Sequence, residues 1–327
     1  MNPSLTTRRE FIVRLALAPV ALAWLTQLAG AEDAARRVRF GLITDVHQDV
    51  MPDGIDRVRA FVKAMEQAQA DFIVQLGDFC QPRPGNEPFR DAFHAFHGPH
   101  YHVLGNHDMD GGFKREQTVA YNGMPDKHYA FTVGPVRYVV LDCNEPGGKG
   151  KGYKNFIGPD QLAWLDHELT QADRPVVLFS HQPLDPAGIE NGPAVRAVLE
   201  RAAAKIIAAF SGHFHQDYDC LDNGVRYIQI NSASYVWLPG KAARDTYPAA
   251  VHKAHPSLRN VAAYREPLWA LVTLDLDRGE LVITGKRTDW IGPDPWQRGA
   301  TEKEYPREKN HPWISDRQHA IPALAKK

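Results

Sequence analysis

Five short clusters in this sequence carry side chains able to hold a metal: Asp45-Val46-His47, Gly77-Asp78, Gly105-Asn106-His107-Asp108, Ser180-His181 and Gly212-His213-Phe214-His215. Each follows directly on an apolar run. Taken singly, Asp and Asn are ordinary turn residues, and a lone histidine packs as well as it ligates. Five such clusters, each closing an apolar run, call for a shared role. The ligand types are carboxylate, imidazole and amide without thiolate, which favours ions such as Mn, Fe, Zn or Co. Asp45 and His47 are two residues apart, as are His213 and His215, and an extended backbone would point each pair the same way. The set predicts one site for two metals, about 3.5–4 Å apart with a carboxylate shared between them, able to clamp a phosphoryl group and activate hydroxide.

The elements that must position these clusters are legible from periodicity. The run from Val38 to Thr44, the run Phe72–Leu76 and the run from about His100 to Leu104 read as strands. Between the first two, Ile55, Val58, Phe61, Val62 and Met65 recur at helical spacing, and Phe89, Phe93 and Phe96 mark a short helix before the third. This alternation predicts parallel strands with helical crossovers. Tyr129–Val133 and Val136–Leu141 around Gly134-Pro135 read as a hairpin, and a glycine-rich loop over 145–158 reads as mobile. Helices marked by Leu162, Leu165 and Leu169 and by Val195, Val198, Leu199 and Ala202 alternate with strands over Pro175–Phe179 and Ile206–Phe210. Val225–Ile230 reads as a further strand, and Leu268–Leu276 with Glu280–Thr284 as a late hairpin. In open α/β sheets ligands bind beyond the carboxyl ends of strands, which is where Asp45, Asp78, Asn106, His181 and His213 fall.

The ordered set Asp45-x-His47, Gly77-Asp78, Gly105-Asn106-His107-Asp108, His181 and Gly212-His213-x-His215 resembles the motifs of the calcineurin-like metallophosphoesterases, over roughly residues 38–285. That resemblance implies an α/β fold in which a central β-sandwich is flanked by helices, four layers in the order α/β/β/α. It implies Asp45, His47, Asp78 and His215 on one metal, and Asp78, Asn106, His181 and His213 on the other, with Asp78 bridging. His107 is then the uncoordinated acid that protonates the leaving oxygen, with Asp108 supporting it. The cofactors implied are two divalent or mixed-valence transition ions. The activity implied is hydrolysis of phosphomonoesters or small phosphodiesters by hydroxide activated between the metals. Nucleotide pyrophosphatase and nuclease activities suit the same motifs, and a non-catalytic metal-binding protein is the reading from another class.

Residues 1–31 resemble a twin-arginine export signal: Arg8-Arg9 precede the apolar run Ile12–Leu28, and Ala29-Gly30-Ala31 offers small residues at a cleavage site. Pro19 and Arg14 break that run, so no permanent membrane anchor is expected. Export places the mature chain in the periplasm or outside the cell, with the export machinery as a transient partner. Losing three arginines and one glutamate takes the formal charge from −1 to −3, so no stable nucleic-acid partner is expected. Residues 32–285 form the expected catalytic domain and 286–327, rich in Pro, Trp and charge, a tail packed on it. Cys80, Cys143 and Cys220 are too few for a disulfide framework. Lys149, Lys151 and Lys154 could reach an anionic substrate from their loop but read as a solvated face, and Trp237, near the last ligand cluster, could line a substrate cleft but reads as a core or surface tryptophan.

Overall fold

A computed structural model describes residues 36–322, so the signal-like segment lies outside the described residues. Strand β1 (Arg37–Ile43) is followed by α1 (Gly54–Gln67), β2 (Phe72–Gln75), α2 (Glu87–His94), β3 (His100–His102) and α3 (Arg115–Asn122). The hairpin β4 (Tyr129–Val133) and β5 (Val136–Val140) leads to α4 (Pro159–Gln171), β6 (Val176–Phe179), α5 (Gly192–Arg201) and β7 (Ile206–Ser211). Next come β8 (Tyr218–Asp222), β9 (Val225–Gln229), β10 (Tyr235–Trp237), α6 (Ala249–Ala254) and β11 (Val261–Ala263). The chain closes with β12 (Ala270–Asp275), β13 (Glu280–Gly285) and β14 (Arg317–Ala320).

Two mixed six-stranded sheets result, in the orders β14-β13-β12-β1-β2-β3 and β4-β5-β6-β7-β9-β8, with β10 and β11 paired separately. Strands β1, β2 and β3 run parallel, as do β5, β6, β7 and β9. The five ligand-bearing strands are therefore split, three in the first sheet and two in the second. The run after residue 285 ends in a strand: β14 pairs with β13 at the sheet edge.

The near-continuous apolar runs of the parallel strands are explained by cores on both faces. Phe40, Leu42, Phe72 and Val74 point between the sheets, meeting Tyr138, Val140, Val177, Phe179 and Phe210. Phe40 stacks on Phe72 at 4.9 Å and meets Phe179 edge-on at 5.8 Å. Their neighbours Ile43 and Ile73 face the other way, onto Val58, Phe61 and Met65 of α1 and Phe89 and Phe93 of α2. In the second sheet Val176 and Leu178 face Leu165 and Leu169 of α4 and Val195 and Leu199 of α5. The layers are thus helix, sheet, sheet, helix. Among the described residues no helix is long and apolar enough to cross a membrane. Cys80, Cys143 and Cys220 are free thiols.

Candidate metal centre

The parallel strands end at one edge of the sandwich, and the loops leaving them bring the predicted ligands together in two clusters. Asp45, His47 and His215 place ligand atoms within 4.8 Å of one another, and so do Asp78, His181 and His213. Asp78 joins the two. Its Oδ2 lies 3.1 Å from His181 Nε2 and 3.6 Å from His47 Nε2. Asn106 Oδ1 stands 3.2 Å from His181 Nε2, and His213 Nδ1 3.2 Å from the same atom.

The backbone holding these groups is not extended. Seven non-glycine residues among those described have positive φ, and five of them are Asp45, His47, Asp78, His213 and His215. The expectation that each two-residue pair alternates along an extended chain is therefore wrong: both members of each pair sit in the left-handed region, between 51° and 73°. Such conformations cost on the order of 1–3 kcal/mol each and persist only where surrounding contacts fix them. Those contacts are present. Asp45 and His47 donate their N–H groups to the Gly77 and Asp78 carbonyls, both at 3.0 Å, and Ser232 and Ser234 hydroxyls donate to the Asp45 and Val46 carbonyls.

The motif glycines Gly105 and Gly212 are needed for close approach. A Cβ at Gly105 would overlap the backbone nitrogen and carboxylate of Asp78, and one at Gly212 would overlap Thr44 and the Asp45 carboxylate. Gly105 has no positive φ, so no left-handed turn requires it. Its role is to let one ligand loop lie against the next.

The polar atoms left over at the centre fit cations. His181 Nδ1 lies 2.8 Å from the Leu76 carbonyl and His215 Nδ1 2.6 Å from the Tyr235 carbonyl. Each carbonyl takes the Nδ1 proton and turns Nε2 inward. There His215 Nε2 faces His47 Nε2 at 3.2 Å and Asp45 Oδ1 at 3.2 Å. Asp45 Oδ1 is buried and has no hydrogen-bond donor. Lone pairs at these separations repel unless a proton or a cation lies between them. Burial drives His47 down to about 3 and His213 to about 4, keeping both neutral and free to ligate. Burial lowers His181 too, but the adjacent Asp78 outweighs it and brings it up to about 9. Burial raises Asp45 and Asp78, yet the facing His215 and His181 hold both carboxyls below their usual range. With imidazole, carboxylate and amide donors and no thiolate, the set suits two transition ions.

His107 stands beside the clusters, its ring 5.1 Å from that of His47 and its backbone N–H donating to Asp78 Oδ1 at 2.7 Å. Its Nδ1 lies 2.7 Å from Asp110 Oδ2, and the Tyr153 hydroxyl donates to Asp110 Oδ1 at 2.9 Å. Burial lowers the His107 pKa, but the Asp110 bond and the Asp78 charge raise it above its usual value. Asp108, by contrast, is buried and accepts N–H bonds from Phe79 at 2.7 Å, Cys80 at 3.1 Å and Gly105 at 2.8 Å. Burial and Asp78 push its pKa up to about 8. Asp108 thus staples the Asp78 loop to the Asn106 loop, and the carboxylate partner of His107 is Asp110.

Asp110 follows His107 by three residues, at the kink in the segment His107–Gly112 where the backbone leaves helical geometry, so no helical period marked it in the sequence. Tyr153 lies in the glycine-rich loop and had no signal either. That loop, expected to be mobile, is tied down: Glu190 accepts from the Lys149 and Gly150 N–H groups, and Tyr153 reaches Asp110. Trp237 is a wall of the centre, the cleft-lining alternative, with its ring 5.8 Å from His47 and 6.2 Å from His107.

A family model for calcineurin-like phosphoesterases matches residues 38–217. The chain belongs to that family. It is a metal-dependent phosphoesterase, a hydrolase with two adjoining candidate metal sites. A manganese-dependent ADP-ribose/CDP-alcohol diphosphatase from Oryza sativa subsp. japonica is 26% identical over 268 residues, covering 59% of this chain and 83% of the relative. A probable cyclic nucleotide phosphodiesterase from Rhodopseudomonas palustris is 24% identical over 215 residues, covering 58% of this chain and 76% of the relative. Among solved structures, a dimetal phosphatase from Danio rerio superposes with a TM-score of 0.57 at 20% identity. That match covers 78% of this chain and 98% of the other, and it shows the shared fold.

Proposed function

We propose that this phosphoesterase hydrolyses small phosphate esters, mono- or diester, at a dinuclear centre. In this reading Asp45, His47, Asp78 and His215 hold one ion, and Asp78, Asn106, His181 and His213 the other. The observation that carries it is the position of Asp78 Oδ2 between His181 Nε2 and His47 Nε2, one from each side. When bound, two such ions supply positive charge to the phosphoryl oxygens and make water acidic enough to deprotonate near neutral pH. His107, oriented through Nδ1 by Asp110, holds a proton for the leaving oxygen. The names of the two relatives support small nucleotide-derived substrates and Mn as the ion to try first.

Metal removal tests the reading. Chelated protein is expected to lose hydrolysis of p-nitrophenyl phosphate and bis(p-nitrophenyl) phosphate, and to regain it when Mn, Co, Zn or Fe is restored. Turnover that survives complete chelation would refute it.

Export belongs to the same proposal and rests on Arg8-Arg9, the following apolar run and Ala29-Gly30-Ala31. The chain is expected to fractionate with the periplasm of a bacterial host and to stay in the cytoplasm as the Arg8→Lys/Arg9→Lys variant. Equal distribution of the two would count against a twin-arginine route.

A further inference from the structure

Beside the metal centre lies a cavity of about 400 Å³ lined by Asn106, Met109, Phe113, Lys114, Tyr153 and Lys154, among others. It opens directly off the centre, because Asn106 is a proposed ligand and Tyr153 is bonded to the partner of His107. Its far wall is braced to the ligand loops. Buried Asn144 donates to the Leu104 carbonyl at 3.0 Å, and Gln182, next to His181, donates to Asn144 Oδ1 at 2.8 Å and the Lys154 carbonyl at 3.3 Å.

The charge of this cavity is positive. Arg115, also on its wall, is occupied by Asp142 at 2.5 Å, and Glu116 by Lys127 at 3.1 Å. Lys114 and Lys154 line the cavity and have no ion-pair partner within 4 Å among the described residues. The apolar surfaces are Met109, Phe113 and the ring of Tyr153, which is 51% exposed. The Glu190 carboxylate acts on Lys154 from beyond 4 Å, so a lone ester phosphate held at the metal clusters would leave both ammonium groups without an anion in contact.

From this arrangement, and resting on the proposed dinuclear reading, we infer that the cavity takes the second phosphate of a diphosphate-linked substrate. Lys114 and Lys154 are its contacts, and the organic group beyond it lies on Phe113 and Tyr153. The bond broken is then the P–O–P bridge. The oxygen of water bonds to the phosphorus at the metal clusters. The bridging oxygen leaves with the electron pair of its bond, as part of the second phosphate. The two hydrogens of water are accounted for by the two phosphomonoester products or released as protons, so no oxidant or co-reactant is needed.

The test compares Mn-loaded wild type with a Lys114→Gln/Lys154→Gln chain on ADP-ribose and on bis(p-nitrophenyl) phosphate. Circular dichroism and metal content serve as folding controls. The expected result is that the ratio of kcat/KM for ADP-ribose to that for the ester falls at least about tenfold in the variant, chiefly through KM for ADP-ribose. An unchanged ratio, or wild type that cleaves the ester but not ADP-ribose, would overturn the subsite and leave the dinuclear reading standing. Absence of hydrolysis of either compound by wild type with two bound Mn would overturn that reading, and the subsite with it.

Discussion

An Asp78→Ala chain is expected to lose metal from both clusters and to lose at least about 10³-fold in turnover. The reasoning starts from position. Asp78 Oδ2 is 3.1 Å from His181 Nε2 in one cluster and 3.6 Å from His47 Nε2 in the other, so no other carboxylate can take its place between them. Its Oδ1 accepts the backbone N–H of His107, so the same deletion frees the loop that carries the candidate acid. Metal charge on a transferring phosphoryl group supplies several kcal/mol, and each tenfold in rate corresponds to about 1.4 kcal/mol. Losing two ions therefore removes several powers of ten. Asp45→Ala is the informative comparison, because Asp45 Oδ1 faces His215 and His47, while its Oδ2 reaches the other cluster only by accepting the His213 backbone N–H at 3.1 Å. It is expected to empty one cluster and to leave metal, more weakly held, in the other. Metal analysis by mass spectrometry reads both outcomes. Retention of both ions by the Asp78→Ala chain would show that the carboxylate is not shared.

The second large effect belongs to His107. Its replacement by Ala is expected to lower kcat by about 10²–10⁴-fold while the bound metal stays in place. The loss should grow as the leaving group becomes more basic, because a proton delivered to an alkoxide matters more than one delivered to p-nitrophenolate. Comparing alkyl with p-nitrophenyl esters measures this. Asp110→Asn keeps the shape but removes the charge that holds His107 Nδ1 at 2.7 Å and raises its pKa, so a partial loss is expected together with a downward shift of the alkaline limb of the kcat profile. A loss in His107→Ala that is equal for every leaving group would assign the imidazole to charge stabilisation alone.

The ligands were legible in the sequence because two constraints act on the same positions. Each must be a polar, chemistry-bearing residue, and each must follow a buried strand, so Asp45, Asp78, Asn106, His181 and His213 interrupt apolar runs. The two cores explain why those runs alternate so little. The backbone at the ligands was not legible: a left-handed Asp or His leaves no mark in composition, and only the packing of one loop on the next selects it. Asp110 was overshadowed by Asp108, whose three N–H bonds give it a different task. Tyr153 escaped because it lies among glycines, and the place of Trp237 stayed open because the three-residue strand β10 is too short to show a period. Strand β14, with the sequence Arg-Gln-His-Ala, has no apolar alternation and exists by pairing with β13 at the sheet edge.

The proposal that Asp78 holds two ions side by side is tested most directly by loading the chelated chain with Mn. The metal-to-chain ratio and the electron paramagnetic resonance spectrum are read together. Two Mn per chain with an exchange-coupled spectrum is the predicted result, since ions about 3.5–4 Å apart through a shared carboxylate are magnetically coupled. One Mn per chain, or two giving the hyperfine pattern of isolated ions, would contradict it.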